Sequence, residues 1–146
     1  MYIKIDQSGK IEDTRVNTAL AFSDGRRKTI LIDRREKRKL QEIFRKNNKH
    51  HVFIFKTFAI LIFLLIKNDL TEIQRIGIDL EYPGKDYLIK DYLLTMIRKY
   101  RSFDKRDIIF IKVDRKTKAH ELAINVHRGH IKPDIMVTKE DIKPFI

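Results

Sequence analysis

The chain has 146 residues, carries 32 Lys and Arg against 20 Asp and Glu for a formal charge of +12 at pH 7, and holds no Cys or Trp, a thermophile-like composition. That length builds one compact domain with its own apolar core, and that charge points to a polyanionic partner, nucleic acid first and an anionic membrane surface second. The lack of Cys excludes disulfide scaffolds, cysteine nucleophiles and Cys-ligated zinc and fits a reducing, cytoplasmic address, while 42% apolar residues exclude intrinsic disorder.

Tyr2–Asp6 alternates apolar and polar side chains, the period of a strand, and Gln7-Ser8-Gly9-Lys10 supplies turn residues. A start of this kind does not read as a secretory leader. Thr18–Asp24 (TALAFSD) and Lys28–Asp33 (KTILID) flank Asp24-Gly25, a strong hairpin signal, so three antiparallel strands are expected to open the chain. Arg34–Lys49 is intensely basic, with only Leu40, Ile43 and Phe44 apolar, and fits either a short surface helix or an extended arm. Its 34–39 cluster (RREKRK) suits contact with nucleic-acid backbone or RNA rather than bases, because it lacks interleaved aromatics for stacking. His50-His51 reads as a solvated loop pair. Val52–Ile66 carries a single charge, Lys56, in fifteen residues. A bilayer span needs about 20, so a helix buried in the core is expected, an extended start at Val52–Phe55 is an alternative, and stable membrane insertion is not expected.

Ile76–Tyr82 (IGIDLEY) alternates again until Pro83-Gly84. From Asp86, the positions of Leu88, Ile89, Tyr92, Leu93, Met96, Ile97 and Tyr100 form a helical stripe. Asp107–Val113 (DIIFIKV) reads as a buried strand, and Ala119, Leu122, Ala123 and Val126 as the narrow apolar face of a helix stopped by Gly129. His120 and His127, seven residues apart, lie two turns along one side of that helix. Residues 130–146 read as a tail around Pro133 and Pro144. The order predicts a single α/β domain over 1–146 with its core in 1–129. Its sheet is mixed and five-stranded, an antiparallel three-strand meander plus parallel βαβ strands, with helices on both faces.

No Walker loop, G-x-G-x-x-G or G-x-S-x-G follows any predicted strand. Carboxylates recur at strand ends instead. Asp6 sits where the first strand runs out, Asp79 and Glu81 share one face of the fourth opposite Ile78, Leu80 and Tyr82, and Asp114 ends the fifth. A carboxylate in an apolar strand is costly to bury unless it is paired or holds a metal, and ligands of such sheets collect at the carboxyl ends of the strands. Two readings stand. Asp6 and Asp114 are turn-forming acids with Asp79 or Glu81 paired to an arginine, or several acids share Mg²⁺ or Mn²⁺. Lys85 after the fourth strand, Lys112, Arg115, Lys116 and Lys118 around the end of the fifth, and Arg128 and Lys132 at the close of the last helix are candidate phosphate contacts, which weaken steeply with salt.

Together these features resemble the ribonuclease H-like superfamily, which houses ribonucleases H, integrases, transposases and Holliday-junction resolvases. The likeness rests on the three-strand opening with Asp6-Gln7-Ser8-Gly9, the later strand carrying Asp79 and Glu81, and a last strand followed by KTKAHELA; it covers roughly residues 1 to 129 as an element order. The resemblance implies that Asp6 is the family's first-strand aspartate and Asp79 its fourth-strand acid, with Glu81 a competitor for that role or an additional ligand. Ala119-His120-Glu121-Leu122-Ala123 is similar to the family's late helix motif, commonly Ala-Asp-x-Leu-Ala, with His120 where an acid is usual. Imidazole ligates metals and shuttles protons. Ribonucleases H also place a glutamate in the first long helix. Val52–Ile66 has none, so Glu81 would supply that charge, as resolvases do from the fourth strand. The implied function is divalent-metal-dependent hydrolysis of nucleic-acid phosphodiesters, with Asp6, Asp79, Glu81 and His120 catalytic and Asp6, Asp79 and Glu81 holding the metal. The alternative is a catalytically inactive nucleic-acid-binding or assembly module on the same fold, and a homodimer is open to both.

Overall fold

The computed structural model describes residues 1–24 and 26–146; the expected Asp24-Gly25 turn falls, at Gly25, outside the described residues. Strands β1 (Tyr2–Ser8), β2 (Thr18–Asp24) and β3 (Arg26–Ile32) pair antiparallel in succession. With β4 (Arg75–Asp79), β5 (Ile108–Ile111) and β6 (Ile135–Val137) they form one sheet in the order β5-β4-β1-β2-β3-β6. β4 runs parallel to β1, β5 to β4 and β6 to β3, so β2 alone opposes the other strands.

The period-two alternation sorts the two faces. Ile3, Ile5, Leu20, Phe22, Ile30, Ile32, Ile76 and Ile78 bury one face under α2 (Phe53–Ile66), which packs beside α3 (Asp86–Ile97) and α1 (Arg34–Lys46). Ala19, Ala21 and Leu31 meet Leu122, Ala123 and Val126 of α4 (Lys118–His127) on the other. The two alanines present little side chain, so α4 lies close to β2. Gly129, at φ +78°, ends α4 in the left-handed conformation that an L side chain resists.

Several boundaries differ from the sequence expectations. The sheet has six strands rather than five, because the supposed tail supplies β6 and the short helix α5 (Lys139–Ile142), burying Val137 and Ile142. Arg34–Lys46 is a helix and not an arm, capped by Asp33, whose carboxylate accepts from the Arg35 amide at 2.7 Å. A 3₁₀ turn at His50–Val52 leads directly into α2, leaving no extended start. β4 stops at Asp79 and β5 at Ile111, each short of its apolar run. α3 ends at Ile97, and Tyr100 beyond it lies with its ring 5.5 Å from that of Phe63. His50–Glu72 is long and apolar enough to cross a bilayer, yet Phe58, Leu61, Ile62, Leu65 and Ile66 are all buried in the core.

The basic run hides one core residue. Lys37 is fully buried on α1, and its ammonium donates to the carbonyls of Lys10 (3.1 Å) and Asp13 (2.7 Å) and to the Thr18 hydroxyl (3.0 Å). It ties α1 to the loop that follows β1. Burial pushes this ammonium down to about 8, so above that pH the unfolded chain holds more protons than the folded one and the Lys37 contribution to stability grows. Lys37→Met, which removes all three hydrogen bonds and takes the donor from the buried Thr18 hydroxyl, is expected to lower unfolding free energy in urea by about 2–3 kcal/mol. The gap to the parent should widen as pH rises from 8 toward 10. A loss near zero, or a gap that narrows, contradicts this role.

Candidate metal centre

β1, β4 and β5 run side by side in one direction, and their carboxyl ends open on one rim. The chain leaves β4 for α3 on one face and β5 for α4 on the other. Neighbouring parallel strands whose connections part in this way leave a crevice between them. A cavity of about 780 Å³ occupies that crevice, lined among others by Asp6, Asp79, Glu81, His120, Lys112 and Arg115.

Asp6 lies within β1 on the α4 face and is 3% exposed. One carboxylate oxygen accepts from the Gln7 amide at 2.8 Å, and the other lies 2.6 Å from Nδ1 of His120. His120 is set by the first turn of α4, where the Thr117 hydroxyl caps the helix and accepts from the His120 amide at 3.2 Å. Burial raises the Asp6 carboxyl above its ordinary range, against the lowering effect of the His120 and Gln7 hydrogen bonds, and the nearby Asp79 charge raises it further. Asp79, the last residue of β4, accepts from the Val113 amide at 2.7 Å.

Glu81 reaches the same place by a different route from strand alternation. The Leu80 amide still donates to Ile111 at 2.9 Å, but the Glu81 amide donates back to the Asp79 carbonyl at 2.9 Å, a tight turn that leaves Leu80 43% exposed instead of facing the core. Glu81 is pushed up to about 8 by burial, by its hydrogen bond to Asp79 and by the charges of Asp79 and Asp6, against a lowering contribution from Lys10. Asp6, Asp79 and Glu81 each offer an oxygen within 4.8 Å of the others. Like charges this close are stable when a proton or a cation lies among them. A donor set of carboxylate oxygens matches hard divalent ions, and the triad can hold a metal ion.

The other predicted residues divide. Lys112 and Arg115 line the acidic cavity. Asp114 is on its wall but turns its carboxylate to the Lys116 amide at 2.8 Å, so it acts as a turn former. Lys116 follows in that exposed turn, Lys118 opens α4 and faces a different groove, and Arg128 caps the far end of α4. Lys85 precedes α3 with its ammonium 5.5 Å from the Phe55 ring centroid.

Two supports of the site escaped sequence reading. The Tyr82 hydroxyl accepts from the Gln7 side-chain amide at 3.1 Å and the Ile11 backbone at 3.3 Å, joining the residue after Glu81 to β1 and its following loop. The Ser8 hydroxyl lies 2.8 Å from Nδ1 of His127, which burial holds below the usual histidine range. Gly9, at φ +81°, completes this contact, since a Cβ there would strike the Asn17 carbonyl and the His127 ring. The seven-residue histidine spacing was the available signal, since both imidazoles reach the end of β1.

Comparison with protein-family models, curated proteins and solved structures finds no match to this chain. The geometry of the rim therefore carries the functional argument. Mn²⁺ or Mg²⁺ at a hundredfold excess over its Kd is expected to raise unfolding free energy by about 2–3 kcal/mol. EDTA should reverse the gain and Asp79→Asn abolish it. Glu81→Gln, which removes one of the three acids, should raise the thermal midpoint without metal and shrink the shift with it. A Glu81→Gln chain that loses stability without metal would contradict the repulsion described here.

Proposed function

We propose that the chain is a divalent-metal-dependent nucleic-acid phosphodiesterase of ribonuclease H-like architecture, working with Mg²⁺ or Mn²⁺. The observation that carries this reading is the triad, since Asp6 of β1 and the neighbouring Asp79 and Glu81 at the end of β4 converge within 4.8 Å. Supporting it are the antiparallel opening meander with parallel β4 and β5 beside β1, the position of His120 on Asp6, and the charge of +12.

Asp6, Asp79 and Glu81 would hold the ion, which when bound supplies Lewis-acid polarisation of a phosphodiester and an activated water. The backbone amides of Gln7 and Val113 fix the direction of the Asp6 and Asp79 carboxylates. His120 orients Asp6 through Nδ1 and lies on the cavity wall. Lys112 and Arg115 draw the phosphate backbone to the same wall without reading sequence.

A second reading, a binding or assembly module without turnover, has its own observation. Both oxygens of Asp6 already have partners, one in His120 and one in the Gln7 amide, so this acid is compensated without an ion. The two readings separate on labelled DNA, RNA and branched substrates with Mg²⁺ or Mn²⁺. Hydrolysis is expected, reduced to background in Asp6→Asn and in Asp79→Asn. Cleavage that survives the double substitution removes the triad as the hydrolytic centre, and salt-sensitive binding without turnover under either metal favours the module.

A further inference from the structure

A second groove, of about 400 Å³, flanks α4 on the side away from the acidic cavity. Lys118, Glu121, Leu122 and Asn125 contribute to it from α4, a stripe of i, i+3, i+4 and i+7 positions. At about 100° per residue, His120 falls on the opposite side of the helix, where it lines the acidic cavity. The two cavities are thus separated by the width of one helix, about 10–12 Å with side chains.

The facing wall of the groove comes from β3 and the end of β2. Arg26 and Lys28 reach the buried Asp69 at 2.9 and 2.7 Å, and Arg26 also reaches Glu72 at 2.6 Å. These pairs neutralise Arg26 and fix the strand on the α2 side. Strand alternation then turns Arg27, between them, toward α4 and into the groove. Among the described residues the groove presents Arg27 and Lys118 as cations beside the already paired Arg26, Glu121 as a carboxylate opposing them, the Ser23 hydroxyl and Asn125 amide as neutral hydrogen-bonding groups, and Leu122 and the 37% exposed Ile131 as apolar floor. Cations beside a hydrogen-bonding amide and apolar surface match the phosphate, sugar and base faces of a polynucleotide.

We propose that one nucleic-acid strand held at the acidic cavity continues across the first turns of α4 into this groove. Resting on the hydrolytic reading above, the inference extends its substrate contact from one cavity to a track. The strand crosses the amino end of α4, where the helix dipole favours phosphate, and the groove grips it several phosphates from the triad. Contact of this kind selects for strand length rather than sequence.

The test is fluorescence anisotropy with labelled single-stranded DNA and RNA in Ca²⁺, a hard ion for the three carboxylates, with the oligonucleotides checked for cleavage so that binding is read apart from hydrolysis. Arg27→Glu and Lys118→Glu, both at exposed positions, are each expected to weaken binding of an oligonucleotide of about 20 nucleotides at least tenfold and to flatten the salt dependence by about one phosphate contact. Binding of a trinucleotide, which fills the acidic cavity alone, should be unchanged. Affinity for the long strand within about twofold of the parent in both variants overturns the track, as does equal competition by polyglutamate, which lacks bases and sugars. Preference for blunt duplex over single strand overturns it too. Groove-dependent binding of a strand that is never cleaved with Mg²⁺ or Mn²⁺ upholds the track and removes the hydrolytic reading. Cleavage with groove-independent binding does the reverse.

Discussion

The oxygens of Asp6, Asp79 and Glu81 lie within 4.8 Å of one another, and the repulsion between them constrains everything built at this rim. Two unit charges at that range repel by ~3 kcal/mol at an effective dielectric near 20. The chain relieves part of that repulsion itself. His120 and the Gln7 amide engage Asp6, the Val113 amide engages Asp79, and Glu81 holds its proton up to about pH 8. A divalent cation that displaces that proton would relieve the remainder, which is why the same arrangement that is costly alone is suited to an ion.

The fold supplies this concentration of charge by placing β1 between β4 and β2. On its α2 face, β1 carries Ile3 and Ile5, buried in the main core. On the opposite face it carries Asp6 and Ser8, each paired with a histidine of α4. Ala19 and Ala21 of β2 let α4 lie close enough for both imidazoles to reach. Lys37 holds the loop beyond Gly9 against α1, so the end of β1 is fixed from the far side as well. Changes in any of these contacts would be felt at the triad through the position of Asp6.

Much of this was legible in the sequence where a period had room to show itself. β1 to β3, the buried α2 and the apolar stripe of α4 all follow from alternation or helical spacing, and the acids at the ends of β1 and β4 were visible as charges inside apolar runs. What escaped had physical reasons. β6 has three residues, too few for a period, and Pro133 masked its approach. Lys37 sits in a run of cations whose composition says nothing of which one turns inward. Glu81 belongs to a turn that only the hydrogen bond back to Asp79 defines, and Asp114, identical to Asp79 as a strand-end acid, satisfies itself within its own turn.

Crystals soaked in Mn²⁺ and measured near the manganese absorption edge test the central claim most directly. An anomalous difference peak among the carboxylates of Asp6, Asp79 and Glu81, with the Glu81 carboxylate drawn onto the ion, is the expected result. A map with no peak there at saturating Mn²⁺, the three side chains keeping their hydrogen bonds undisturbed, would contradict it.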